Sequence, residues 1–174
     1  EISDQIIDAD VITKIVEKRR TCAWYEEFAN FYEGILQVAN MQEFFKKHSA
    51  GFHTAQAREV WRNYTNDYYK MDRYYRQFQL CFQRSLETSN MLLDDLLKHV
   101  VDKVEGLYSH WFLGELGKNW SDVCADELAQ YGKVLEIPQQ EDFYRSRIQN
   151  ADSRIFVIIS DAMRYEVAAT LAEE

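Results

Sequence analysis

From Trp61 to Leu86 the apolar side chains step by three or four residues without a break, through Tyr64, Tyr68, Met71, Tyr75, Phe78 and Phe82. That spacing lines one face of an α-helix, and it predicts a helix over 54–86 of roughly 45 Å at about 1.5 Å per residue. The pattern returns over 90–116 with Leu93, Leu96, Leu97, Val100, Val104, Leu107, Tyr108 and Trp111. Two such stripes separated by a few polar residues cover each other by folding back, so a long antiparallel helix hairpin is expected. Breakers are scarce, with one Pro and six Gly in 174 residues. The expected fold class is therefore mainly α, a helical bundle built around that hairpin.

Shorter helices are expected on either side. Ser3 caps a first one carrying Ile6, Ile7, Val11, Ile12, Ile15 and Val16 and ending near Arg19 and Arg20. Trp24, Phe28, Phe31, Tyr32, Ile35 and Val38 mark a second, and Asn40 to Glu43 resembles a capping box that opens a short third before Gly51. Gly114 and Gly117 close the hairpin, Ser121 caps a helix that Gly132 ends, and Pro138 opens another through about Ile148.

Near residue 150 the period changes. Ile155 to Ile159 is an unbroken, largely β-branched run followed by Ser160 and Asp161, which suits a parallel strand buried on both faces. A helix is expected from about Met163, with Val167, Ala168, Leu171 and Ala172 on one face. The chain is thus divided into a helical domain, 1–150, and the first strand and helix of an α/β domain, 151–174. The sequence opens on Glu1 and ends on Glu174, so a piece of a longer protein is expected, with most of the α/β domain elsewhere. Without its sheet, the strand 154–160 should pack on the helices, pair with another copy or be poorly ordered.

The net charge of −9 argues against coating a nucleic-acid duplex. Aromatics interleaved with Arg58, Arg62, Arg73 and Arg76 could stack bases, but aromatics at helical spacing more often form a core. Tyr69 and Tyr74 fall off the main stripe, so a second helix or a protein partner should cover them. Cys22, Cys81 and Cys124 lack any metal or disulfide spacing and read as buried thiols in a reducing, cytoplasmic compartment. His48, His53, His99 and His110 show no ligand spacing, and no run is long and apolar enough to span a bilayer.

A carboxylate at a strand end is where α/β enzymes place chemistry, and its neighbours separate the possibilities. A dehalogenase-type nucleophile wants a second Asp where Met163 stands. An adhesion-type metal site wants hydroxyls at 163 and 165, and a receiver domain wants an acidic pair on an earlier strand. The bland reading of Asp161 is an N-cap of the following helix. Arg164 could reach a substrate phosphate, although an arginine there more often pairs with a surface carboxylate.

The pattern of strand, Asp161, small Ala162 and helix resembles the first metal-ligand motif of the alkaline phosphatase superfamily. The longer run IFVIISDAMRYEV (155–167) resembles the PglZ family, phosphatase-like proteins of bacterial BREX phage-defence systems. The helical stretches YYKMDRYYRQF (68–78) and LYSHWF (107–112) are similar to the region preceding that family's catalytic domain. The resemblance implies Asp161 as a ligand of a divalent metal, zinc being the expected ion, in a metal-dependent hydrolase of phosphoric esters. No other catalytic or cofactor-binding residue carries over, so the 174 residues alone should be inactive and hold no metal. Other BREX proteins are the implied partners. The alternative is a helical interaction module that assembles a defence complex without catalysis.

Overall fold

The computed structural model describes residues 8–87 and 91–173. Among them are the helices α1 (Ala9–Arg20), α2 (Tyr25–Lys47), α3 (Ala57–Asn63), α4 (Tyr69–Glu87), α5 (Met91–Glu105), α6 (Gly114–Tyr131) and α7 (Tyr165–Glu173). The mainly α class holds. Ser3, Ile6 and Ile7, expected to open the first helix, lie outside the described residues, as do the side chains of Leu93, Leu96 and Leu97.

The hairpin is present, with a feature the spacing does not announce. Its first arm is α3 and α4 joined by a π turn, Tyr64–Tyr68, and its second is α5 and α6 joined by another, Gly106–Leu113. A π turn takes in an extra residue and rotates the face that follows. A stripe stepping by threes and fours absorbs that residue without a visible break. The arms run antiparallel. The Tyr75 ring stacks on Tyr108 with centroids 3.8 Å apart, the Tyr75 hydroxyl and the Gln79 amide both donate to Glu105, and at the other end Val60 shares a groove with Leu116 and Trp120.

Helix α2 lies along α4, and α1 packs on α2. The main core is formed by Met41, Met71, Phe78 and Phe112, each 0 % exposed, with Phe44 and Phe52 packed edge-on around Phe112. Burial of this size is what holds helices of modest intrinsic stability together.

Several expected boundaries dissolve inside longer helices. The cap at Asn40 to Glu43 does not open a new helix, because Met41 and Phe44 continue the buried stripe of α2 and packing overrides a local capping preference. Gly114, Gly117 and Ser121 likewise sit within a helical run. A helical Gly costs about 1 kcal/mol relative to Ala, and the burial of Phe112 and Leu116 on either side outweighs that. Gly132 does end α6, at φ 68°, donating its N–H to the Leu128 carbonyl at 3.0 Å. The helix expected after Pro138 is reduced to a 3-10 turn, Gln140–Asp142, and a π turn, Tyr144–Ile148. Phe143 and Tyr144 there are largely exposed, so little packing supports a longer one.

The expected strand is not formed. Residues 154–160 are extended, but no β-strand exists among the described residues for them to pair with. Nor does the run bury itself on the helices: Phe156, Ile158 and Ile159 are 82, 92 and 90 % exposed, and only Ile155 and Val157, at 42 and 44 %, are partly covered. A strand is defined by its neighbours, and a hydrophobic run alone supplies none.

Cys124 is buried and Cys22 and Cys81 are half-buried, all as free thiols, and burial pushes the Cys81 thiol up to about 11. No helix among the described residues is long and apolar enough to cross a membrane.

Candidate functional site

The extended run carries Asp161 to a turn in which Ala162 adopts φ 56°, the left-handed region that L-residues other than Gly, Asn and Asp seldom enter. A side chain larger than a methyl meets more steric resistance there, which gives a physical reason for a small residue after the aspartate. Ala162→Gly should therefore be neutral or stabilise by up to about 1 kcal/mol, whereas Ala162→Val should destabilise by about 1–2 kcal/mol. Urea midpoints of the two variants check this, and a valine variant as stable as the parent would contradict the turn geometry.

Asp161 is exposed, and among the described residues its carboxylate has no hydrogen-bond or ion-pair partner. It is not the cap of the next helix. The first backbone bonds of α7 run from the Val167 and Ala168 N–H groups to the Arg164 carbonyl, three residues further on. Among the described residues no group of three or more His, Cys, Asp or Glu side chains is placed to hold a metal. Asp161 could therefore furnish one hard oxygen ligand but not a complete metal site.

Helix α7 docks on α4 through its polar side. Glu166, 2 % exposed, is ion-paired with Arg76. Glu173 accepts from Arg73 at 2.9 Å and from the Tyr69 hydroxyl at 3.2 Å. The Tyr165 hydroxyl donates to the Thr65 carbonyl, inside the first π turn, at 3.0 Å, and its ring packs against Tyr64 and Tyr69. The side predicted to be buried is the one left open: Val167 is 37 % and Leu171 62 % exposed. Amphipathicity locates an apolar face, but the neighbour that should cover it is not among the described residues.

Beneath this contact lies a buried carboxylate. Asp72 accepts from the Tyr64 hydroxyl at 2.8 Å and the Tyr108 hydroxyl at 2.6 Å, one on each oxygen. Each tyrosine comes from one of the two π turns. Burial, reinforced by the neighbouring carboxylate, pushes both phenols far above their usual range, and the Arg164 charge acts weakly in the opposite sense. Arg164 therefore stands near the two tyrosines. It forms no ion pair with a carboxylate among the described residues, so the surface pairing weighed for it is not seen.

Sequence reasoning missed Asp72, Arg76 and Glu166 as structural groups. A signal existed for Asp72, which falls four residues after Tyr68 and eight after Tyr64, on the buried stripe itself. None existed for the pair Arg76–Glu166, whose partners stand 90 residues apart. The off-stripe Tyr69 is covered, as expected of a second helix, by Tyr165 and Glu173 of α7, while Tyr74 is half-buried. With Arg73 and Arg76 paired to α7, two of the four arginines that would accompany stacked bases are already engaged.

Two curated proteins are similar to this chain over nearly its whole length. Alkaline phosphatase-like protein PglZ of Bacillus cereus (strain H3081.97) is 30% identical over 175 residues, which covers 99% of this chain and 20% of that protein. Alkaline phosphatase-like protein BrxZ of Escherichia coli O9:H4 (strain HS) is 29% identical over 177 residues, covering 97% of this chain and 20% of that protein. The chain spans about a fifth of the length of these relatives. No family model matches it, and no solved structure does.

Proposed function

We propose that this chain, which belongs to the PglZ family along nearly its whole length, is the part of a longer phosphatase-like protein in which a helical domain hands over to the catalytic one. Residues 1–150 are the helical domain, and 151–174 begin the catalytic domain. The reaction is metal-dependent hydrolysis of a phosphoric ester, with Asp161 as one ligand of a divalent ion, zinc by preference. The rest of the ligand set and the nucleophile belong to the remaining four-fifths of a protein the length of its relatives.

The observation that carries this reading is the exposed, unpartnered carboxylate of Asp161 at the end of an uncovered apolar run. An extended segment with Ile158 and Ile159 about 90 % exposed has the wrong surface for water. A parallel sheet would cover both of its faces, and the open side of α7, Val167 and Leu171, would cover part of the same sheet. The names of the two relatives support the catalytic class. A metal at that sheet end would polarise the phosphoryl oxygens of the substrate. A cytoplasmic role in BREX phage defence, with other proteins of that system as partners, goes with the same reading.

In the full-length protein, Asp161→Ala should lower metal-dependent phosphoesterase activity by more than about a hundredfold, beyond the 10- to 100-fold loss typical of groups that only touch a metal ligand. The variant should also bind less zinc after dialysis, with an unchanged circular dichroism spectrum. Undiminished activity and zinc content would overturn the reading and leave the assembly role, without catalysis, as the better one.

A further inference from the structure

We infer that Arg76, in the body of the helical domain, is a positioning residue for Asp161: by holding Glu166 on α4 it sets where α7 begins and where the turn before it stands. The inference rests on the proposed role of Asp161 as a metal ligand.

Between Asp161 and Glu166 lie only Ala162 in the turn, Met163, Arg164 and the first residue of α7, Tyr165. Closer to Asp161 no side chain ties it to the helical domain by a polar contact, since the side chains of residues 154–163 make no hydrogen bond or ion pair among the described residues. The first fixed points after it are Tyr165, bound to the Thr65 carbonyl, and Glu166. The Glu166 side chain is 3 % exposed, so its charge needs a partner, and Arg76 is the cation paired with it.

The chemistry of the contact matters as much as its position. A helix held by apolar burial can slide or rotate by small amounts at little cost. Helix α7 instead leaves Val167 and Leu171 open and docks through directional contacts of Glu166, Glu173 and the Tyr165 hydroxyl, with the Tyr165 ring packed on Tyr64 and Tyr69. A bidentate-capable guanidinium paired with a buried carboxylate constrains angle as well as distance. The helical domain thereby acts as the rigid base for a ligand it does not itself supply, the arrangement a precise metal site requires.

The test is zinc titration of the metal-stripped full-length protein by calorimetry, beside urea unfolding. Arg76→Met should weaken zinc affinity about tenfold, the lower end of the effect of groups that orient a ligand, and Arg76→Lys, which keeps the charge but not the planar fork, should recover only part of it. Glu166→Gln removes the charge rather than stranding it, so it reports on the same contact in a folded protein even where Arg76→Met unfolds. It should show the same loss. Unchanged zinc affinity in Glu166→Gln, or in a folded Arg76→Met, overturns the inference while Asp161→Ala still loses zinc and the proposed function stands. Zinc binding that survives Asp161→Ala overturns both.

Discussion

Phe112→Ala should destabilise the fold by about 3–5 kcal/mol, the range for deleting a fully buried aromatic ring. Phe112 is 0 % exposed and lies in the second π turn, with the rings of Phe44, Phe52 and Tyr108 within 5.9 Å, centroid to centroid. It therefore joins α2, the segment after it and the hairpin in one contact. The surrounding groups come from separate elements whose axes are set by many other contacts, so they cannot collapse far into the space the ring leaves. Urea unfolding should show the midpoint falling with an unchanged slope. Phe112→Leu, which keeps most of the volume, should cost less than half as much. A loss under about 1 kcal/mol for the alanine variant would mean the site relaxes freely, contrary to the packing described.

Asp72→Ala should cost about 2–4 kcal/mol, because it leaves the buried Tyr108 hydroxyl and the half-buried Tyr64 hydroxyl without an acceptor, and a stranded buried group costs about 1–3 kcal/mol. The carboxylate accepts from Tyr64 and Tyr108 on separate oxygens, and so ties together the two π turns. Asp72→Asn keeps one acceptor oxygen and should lose roughly half as much. The double variant Tyr64→Phe, Tyr108→Phe in an Asp72→Leu background removes donors and acceptor together, and should recover part of the loss, since an apolar replacement of all partners strands nothing. Failure to recover any would place the cost in the carboxylate's own charge instead of in the stranded hydroxyls.

Much of the helical part was legible from spacing. The first helix ends at Arg20, the long stripes around Tyr75 and Val104 face each other as a hairpin, and Gly132 ends α6. These features are local, or depend on faces that periodicity marks directly. The boundaries that failed, at Asn40, Gly114 and Ser121, were argued from caps and breakers worth about 1 kcal/mol each. Such signals lose wherever a buried stripe runs on through them. The π turns were illegible because one extra residue within a pattern of threes and fours leaves no trace.

For the site, the run IFVIISDAMRYEV pointed to the family and singled out Asp161. What stands behind that aspartate could not be read there. Glu166 looks like an ordinary acidic residue in the first turn of a helix, and only the fold reveals that it is buried against Arg76.

By itself the sequence determined the helical class, the hairpin and the family, because periodicity and a contiguous motif are properties of neighbours along the chain. Only the tertiary structure decided that α7 docks by its charged side, that Asp72 links two π turns, and that Ile155 to Ile159 finds no strand to pair with among the described residues. Those outcomes depend on which distant surface arrives to satisfy or cover a group, and that is set by the packing of the whole chain.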